Sequence, residues 1–311
     1  MTVSLVLLTL GALAAVIAPR LLARADWPER EPVVALWVWQ CVVAAVLLCF
    51  ALAMTFSAAA AWVDVRGHLF APAPSEVVEA YALGARRPWP AVLAALLAAG
   101  GVWTGAMLAR EIHRARRQRR RRRDELLVRA PLLPGEEPGD GPLVVLEGER
   151  PSASWLPGAA PRLVVTTAAL RRLKGRRLDA VLAHEQGHAR ARHDWLLHCS
   201  SALANGFPQV PVFAAFRGEM HRLVELAADD VASRRVGRRT TALALVELNE
   251  DRGVFGPSTP PGAELPRRVD RLLDPLPRLT PGRRLRLTAA AALVPAVPLV
   301  VAFVPALRAL G

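Results

Sequence analysis

Residues 183–198 read AHEQGHARARHDWLLH, and three side chains in that run can work together on one metal ion. His184 and His188 are four residues apart. On a helix such residues share a face, with Cβ atoms about 5–6 Å apart, so two imidazoles can reach one tetrahedral zinc. Glu185 sits one position on from the first histidine, beside the metal rather than on it. There a carboxylate can take a proton from a water activated by the metal and pass it to a leaving amine. The pattern H-E-x-x-H fixes only three positions, and a basic surface helix can carry it by chance. Two further features raise its weight. Five of the seven histidines fall between His184 and His221. A third ligand is also offered downstream.

That ligand lies in GEMHRLVELAADDVASRR, residues 218–235. Met220, Leu223, Val224, Ala227 and Val231 repeat with helical period, so the segment predicts a helix. His221, Glu225 and Asp229 follow at intervals of four and share one face. Glu225 can be the third ligand, and Asp229 one turn on can orient a ligating histidine through its other ring N–H. The plainer reading of both is an acidic face paired with Arg222, Arg234 or Arg235. Three protein ligands leave a fourth position for water, which marks a catalytic rather than a structural zinc site. His221 is either a donor to an oxyanion or a hydrogen-bonded surface histidine.

These residues need elements to position them. Leu143–Leu146 and Arg162–Val165 predict short strands, and Ser152–Leu156, between two prolines, an extended edge segment. Thr166 or Thr167 caps a short helix. A longer helix is expected from about Arg177 through Leu197, with Leu178, Val181 and Leu182 on its apolar side. His193 and Asp194 follow the motif, and either can orient His188 or bind a neighbouring Arg. The apolar stretch Trp195–Phe216 contains Asn205, Pro208 and Pro211, which predicts a buried or membrane-dipping hairpin rather than a span. His198 in it reads as a core histidine. Thr240–Glu250 is a further helix. Asp251–Pro281 is rich in Pro and Gly, with a short helix near Arg267–Leu273 and no chemistry of its own.

The 311 residues are 53% hydrophobic with a mean hydropathy of +0.26, too apolar for an ordinary soluble chain. Disordered, collagen-like and disulfide-stapled classes are excluded. Cys41, Cys49 and Cys199 make no framework and read as reduced thiols. Four apolar segments predict about four transmembrane helices: residues 1–19, 32–57, 89–109 and 287–311, the last kinked by Pro295, Pro298 and Pro305. The first has no positive n-region, so it reads as a span rather than a cleaved signal.

Net charge is +13, and Lys174 is the only lysine among 40 basic residues. HRARRQRRRRR, residues 113–123, follows the third span directly. Its position makes residues 110–130 an Arg-rich cytoplasmic anchor on anionic lipid, in preference to a nucleic-acid patch. No base-stacking aromatics interleave it. This orientation puts the N-terminus and the Asp64–Arg87 loop outside. The stretch between the third and fourth spans, with PLLPGEEPGDGP (131–142) as linker, is then a cytoplasmic domain of 131–286.

HEQGHARARHD, an apolar connection and then ELAAD are similar to the BlaR/MecR-type integral-membrane zinc metallopeptidases. They also resemble the HtpX-type membrane proteases, which use HExxH and a later ExxxD. The likeness to the first type is fuller. It takes in SWLPGAAPRLVV, the HExxH helix, NGFPQVPVFAAF and EMHRLVELAADDVA, with the order of spans. It implies a mainly α, polytopic membrane protein with a cytoplasmic α+β gluzincin-like protease domain. It implies one Zn²⁺ per chain on His184, His188 and Glu225, with Glu185 as base. It also implies peptide binding along the edge segment Ser152–Leu156, regulated proteolysis or self-cleavage, and a BlaI-type transcriptional repressor as partner. HtpX-like quality control and a non-catalytic receptor are the alternatives. The expected location is the plasma membrane of a bacterium. Two departures stand out. Sensor proteins of the type carry a β-lactam-binding domain after the last span, which this sequence, ending at Gly311, is expected to lack. The Asp that often follows the second His is displaced to Asp194.

Overall fold

A computed structural model describes residues 2–81, 89–129, 143–149, 151–156, 162–249 and 264–310. The expected linker 131–142, and residues 251–263 of the Pro/Gly-rich stretch Asp251–Pro281, lie outside the described residues. Contacts divide the chain into two units. The first comprises Met1–Arg110, Cys199–Glu219 and Leu279–Gly311; the second, Glu111–His198 and Met220–Arg278.

The described residues begin with α1 (Thr2–Ala23), α2 (Trp27–Arg30), α3 (Pro32–Ala61), α4 (Val63–Leu69), α5 (Ser75–Ala80) and α6 (Trp89–Arg129). Three stretches are long and apolar enough to cross a membrane: Val3–Ala23, Pro32–Ala61 and Trp89–Arg114. The second is longer than the expected 32–57. The third does not stop at Ala109: α6 runs unbroken through the arginine run, because Arg is a good helix former and no Gly or Pro interrupts it. The expected kink near the C-terminus is a full break. The last helices, α13 (Pro281–Leu293) and α14 (Ala296–Leu310), meet at 47° on either side of Val294–Pro295, and together they can make a fourth span or a re-entrant loop. Val3, Leu7, Phe56, Tyr81 and Ala302 share a core in this unit, where Tyr81 stacks on Phe56 and donates to the Ala302 carbonyl at 2.8 Å.

The second unit holds the chemistry. Strands β1 (Leu143–Leu146), β2 (Ala153–Leu156) and β3 (Arg162–Thr166) form one sheet in the order β1-β3-β2. β1 is parallel to β3 and β2 antiparallel to it, so β2 is an edge, as its prolines imply. Ser152 O accepts from Thr166 N at 2.9 Å. Backbone groups alternate along an antiparallel strand, so Ser154 and Leu156 also face β3, and Ala153 and Trp155 face the free edge. The Thr166 hydroxyl caps α7 (Thr167–Arg172) by accepting from Ala169 N.

Then come α8 (Arg176–Arg190), α9 (His193–Gly206), α10 (Pro211–Val236), α11 (Arg238–Asn249) and α12 (Glu264–Leu273). α8 buries Ala180 and Val181 against Leu163, Val165, Leu173 and Val236. The single helix expected from Arg177 through Leu197 is in fact two. α8 stops at Arg190, and Arg192 takes φ 51°, a left-handed value that ends a helix and that arginine rarely adopts. The apolar pattern carries on across the break, and no Gly or Pro marks it.

Candidate metal centre

α8 presents His184, Glu185 and His188 on adjoining positions, and α10 presents Glu225 and Asp229 one turn apart. Gly187 lets the two helices meet. A Cβ there would lie 3.3 Å from the Ala228 Cα and from the Val231 Cβ. Any larger residue pushes α10 away. Met220, Leu223 and Val224 are fully buried, which fixes the rotation of α10 and turns Glu225 to the histidines.

His188 Nε2 lies 3.1 Å from His184 Nε2. Glu225 Oε2 is 3.5 Å from His184 Nε2, and its Oε1 is 3.4 Å from His188 Nε2. Donor atoms of these three side chains lie within 4.8 Å of one another. Ligands about 2.0–2.1 Å from a tetrahedral zinc are about 3.3 Å apart, so the donor set fits that ion. His184 Nδ1 lies 3.0 Å from Asp229 Oδ1. A proton on Nδ1 facing that carboxylate leaves the lone pair on Nε2, where a metal needs it. Asp229 is 1% exposed and lies behind His184; Glu225, 33% exposed, is within reach of water.

Two residues join the cluster that sequence patterns assign loosely or not at all. The break at Arg192 starts α9 at His193, whose Nδ1 lies 3.0 Å from His188 Nδ1. His193, to which the sequence gives two possible roles, therefore lies against His188 as Asp229 lies against His184. The second is Arg268 of α12. Its Nε donates to Asp229 Oδ2 and its Nη2 to Asp229 Oδ1, both at 2.7 Å, and Nη1 lies 2.8 Å from Glu225 Oε2. The cation that grips Asp229 is thus Arg268, which the plainer reading of the sequence does not name. Leu265, Val269 and Leu272 pack α12 on Ala242 and Leu245 of α11, which holds Arg268 in place. Arg271 and Arg278 bind the neighbouring carboxylate, Asp230, at 2.9 and 3.4 Å. A signal exists in the sequence: Asp229 and Asp230 sit among apolar positions and need cations. Nothing in their spacing says which.

Electrostatics follow from this packing. Burial alone would lower the His184 pKa, but Asp229 and Glu225 outweigh it and raise it to about 10. Burial pushes His188 down to about 3 and His193 to about 4, so both rings are neutral. Burial opposes ionisation of Asp229 and Glu225. The Arg268 guanidinium overcomes it, holding Asp229 at about 2 and Glu225 well below the usual carboxylate range.

Glu185 is raised by burial, against the nearby His184 charge and a backbone hydrogen bond. That bond comes from the free edge of β2: Trp155 N donates to Glu185 Oε2 at 3.0 Å. His221 lies one turn before Glu225 on α10, half-buried.

The family model of Peptidase family M48 matches residues 137–286, just under half of the chain. The match takes in the strands, the HExxH helix, Glu225, Asp229 and Arg268, and it points to a metallopeptidase. It does not separate the BlaR/MecR type from the HtpX type. No curated protein and no solved structure matches the chain.

Proposed function

We propose that the chain is a membrane-embedded zinc endopeptidase that hydrolyses peptide bonds at the cytoplasmic face of the plasma membrane. One observation carries the reading: the Glu225 carboxylate converges with the Nε2 atoms of His184 and His188, while the adjacent Glu185 meets the free edge of β2. His184, His188 and Glu225 would hold one ion per chain. Bound there, zinc would supply Lewis acidity toward a peptide carbonyl and make water acidic enough to deprotonate near neutral pH.

The chain's own residues do the rest. Glu185 accepts the proton of the attacking water at a carboxylate oxygen and delivers it to the departing amine. An extended peptide adds to the free edge of β2, where Ala153 N–H and C=O and the Trp155 C=O offer backbone groups. Trp155 N already bonds Glu185, so a peptide docked there lies beside the base. His221 is the proposed oxyanion donor. Asp229 and His193 hold the two ligating rings, and Arg268 holds Asp229.

The membrane placement rests on three apolar helices and the bent pair α13–α14. The cytoplasmic side rests on the arginines that follow Trp89–Ala109 in α6 and precede the apolar part of α13. Regulated proteolysis, of the chain itself or of a BlaI-type repressor, is supported by the run from HEQGH to ELAAD. An HtpX-like quality-control role fits the same residues equally.

One experiment tests both levels. Detergent-purified wild type and Glu185→Gln are compared for cleavage of their own chain and of an unfolded membrane protein. Self-cleavage by wild type alone supports regulated proteolysis. Free turnover of the unfolded protein by wild type alone supports quality control. No cleavage by zinc-loaded wild type leaves a non-catalytic receptor, and equal turnover by Glu185→Gln overturns the proposed mechanism.

A further inference from the structure

One short pattern occurs twice in the second unit. Residues 171–177 read RRLKGRR and residues 234–239 read RRVGRR. Each is a corner between two helices, α7 to α8 and α10 to α11. Each has an apolar anchor, Leu173 at 1% exposure and Val236 at 6%, and both anchors belong to the same core. Each turns on a glycine of positive φ, Gly175 at 55° and Gly237 at 93°, values that favour glycine. Arg176 Nη2 donates to the Val236 carbonyl at 3.1 Å, so the two corners lie against each other.

The result is nine cations on adjoining corners of one small core. All but Arg172 are exposed. The two stretches hold no acidic side chain, the first turns of α8 and α11 hold only Asp179, and Glu247 near the end of α11 is paired with Arg177. Such a concentration of like charge repels itself and attracts a polyanion.

We infer that these paired corners are a docking surface for the anionic phospholipid headgroups of a bilayer. Two observations choose lipid over nucleic acid. No Phe, Tyr or Trp occurs in residues 167–190 or 230–249, so the corners offer bases no large aromatic face to stack on. The same chain carries three helices long and apolar enough to cross a membrane, so the corners are covalently joined to segments suited to a bilayer. Arginine suits that ligand, since its planar fork pairs with phosphate oxygens. The inference rests on the membrane placement proposed above, not on the metal site. The corners are distinct in sequence from the arginine run of α6.

The test uses the full chain in lipid nanodiscs, either phosphatidylcholine alone or phosphatidylcholine with phosphatidylglycerol. Backbone hydrogen exchange is read at residues 174–179 and 237–241, with residues 181–188 as a folding control. Slower exchange at both corners in the anionic discs is expected. At about 1 M salt the screening length shrinks to about 3 Å, and the slowing should vanish. It should also vanish in R171Q/K174Q/R238Q/R239Q, with the control residues unchanged. Equal exchange in both kinds of disc overturns the inference while leaving the membrane reading intact. Slowing produced only by added duplex DNA overturns it in favour of nucleic acid. A chain that does not enter discs at all overturns both.

Discussion

Arg268 grips Asp229 with two parallel hydrogen bonds of 2.7 Å, and with its remaining nitrogen it lies 2.8 Å from Glu225. One guanidinium therefore fixes both the carboxylate proposed to bind metal and the buried carboxylate behind His184. Arg268→Ala strips buried Asp229 of its bidentate guanidinium and leaves only the His184 ring beside it, and breaking a buried pair typically costs about 3–5 kcal/mol. Arg268→Lys keeps the charge without the fork and should fall between. Denaturant unfolding of the three proteins measures this. A variant R268A as stable as wild type would contradict the arrangement, and R268A/D229N should recover part of the loss.

Gly187 sets how closely α8 and α10 approach. Its missing Cβ would stand 3.3 Å from the Ala228 Cα, and backbone cannot swing aside as a side chain can. Gly187→Val should force the helices apart and draw Glu225 away from His184 and His188. Zinc affinity, measured by competition with a chelator, should fall more in Gly187→Val than in Gly187→Ala. Equal affinities in all three proteins would mean that the close approach is not needed.

His193 stands behind His188 as Asp229 stands behind His184. Removing such a supporting residue typically weakens a metal site about 10–100-fold. His193→Ala should show that drop in zinc affinity, while a change at Asp194 shows much less. Unchanged affinity in His193→Ala would leave His188 held by its own packing.

The pH dependence of the metal-free protein has opposite signs at two histidines. His188 is pushed down from 6.5 to about 3 by burial, so the unfolded chain binds its proton first. Stability from this group is lost as pH falls from 6.5 toward 3. His184 is raised from 6.5 to about 10 by Asp229 and Glu225, against burial. Its contribution is full below 6.5 and lost as pH rises through 10. Unfolding curves at several pH values should show both losses, and Asp229→Asn should abolish much of the alkaline one. A wild-type profile flat from neutrality to pH 10 would contradict the placement of Asp229.

Much of this is legible in the sequence because it depends on short-range periodicity. Intervals of four put His184 and His188 on one face and Glu225 and Asp229 on another. The apolar stripe through Met220, Leu223 and Val224 says which way that second face turns. Prolines on either side of Ser152–Leu156 mark an edge strand, and the Thr166–Thr167 pair marks a cap, of which the structure uses Thr166. The remainder depends on contacts between distant segments. Arg268 is one arginine of 39, and only the packing of Leu265, Val269 and Leu272 on α11 selects it. The turn at Arg192 hides for a different reason. Its left-handed backbone is adopted by a residue that gives no local sign of it, and so the helix reads as continuous and His193 as undecided.

The most direct test of the account is the zinc content of the detergent-purified chain, for wild type, Glu225→Ala and His188→Ala. About one zinc per wild-type chain, lost in both variants, is the predicted result. Zinc retained without Glu225 would contradict the ligand set and move the third position to His221 or His193. A wild-type chain that takes up no zinc when supplied with it would contradict the metallopeptidase reading itself.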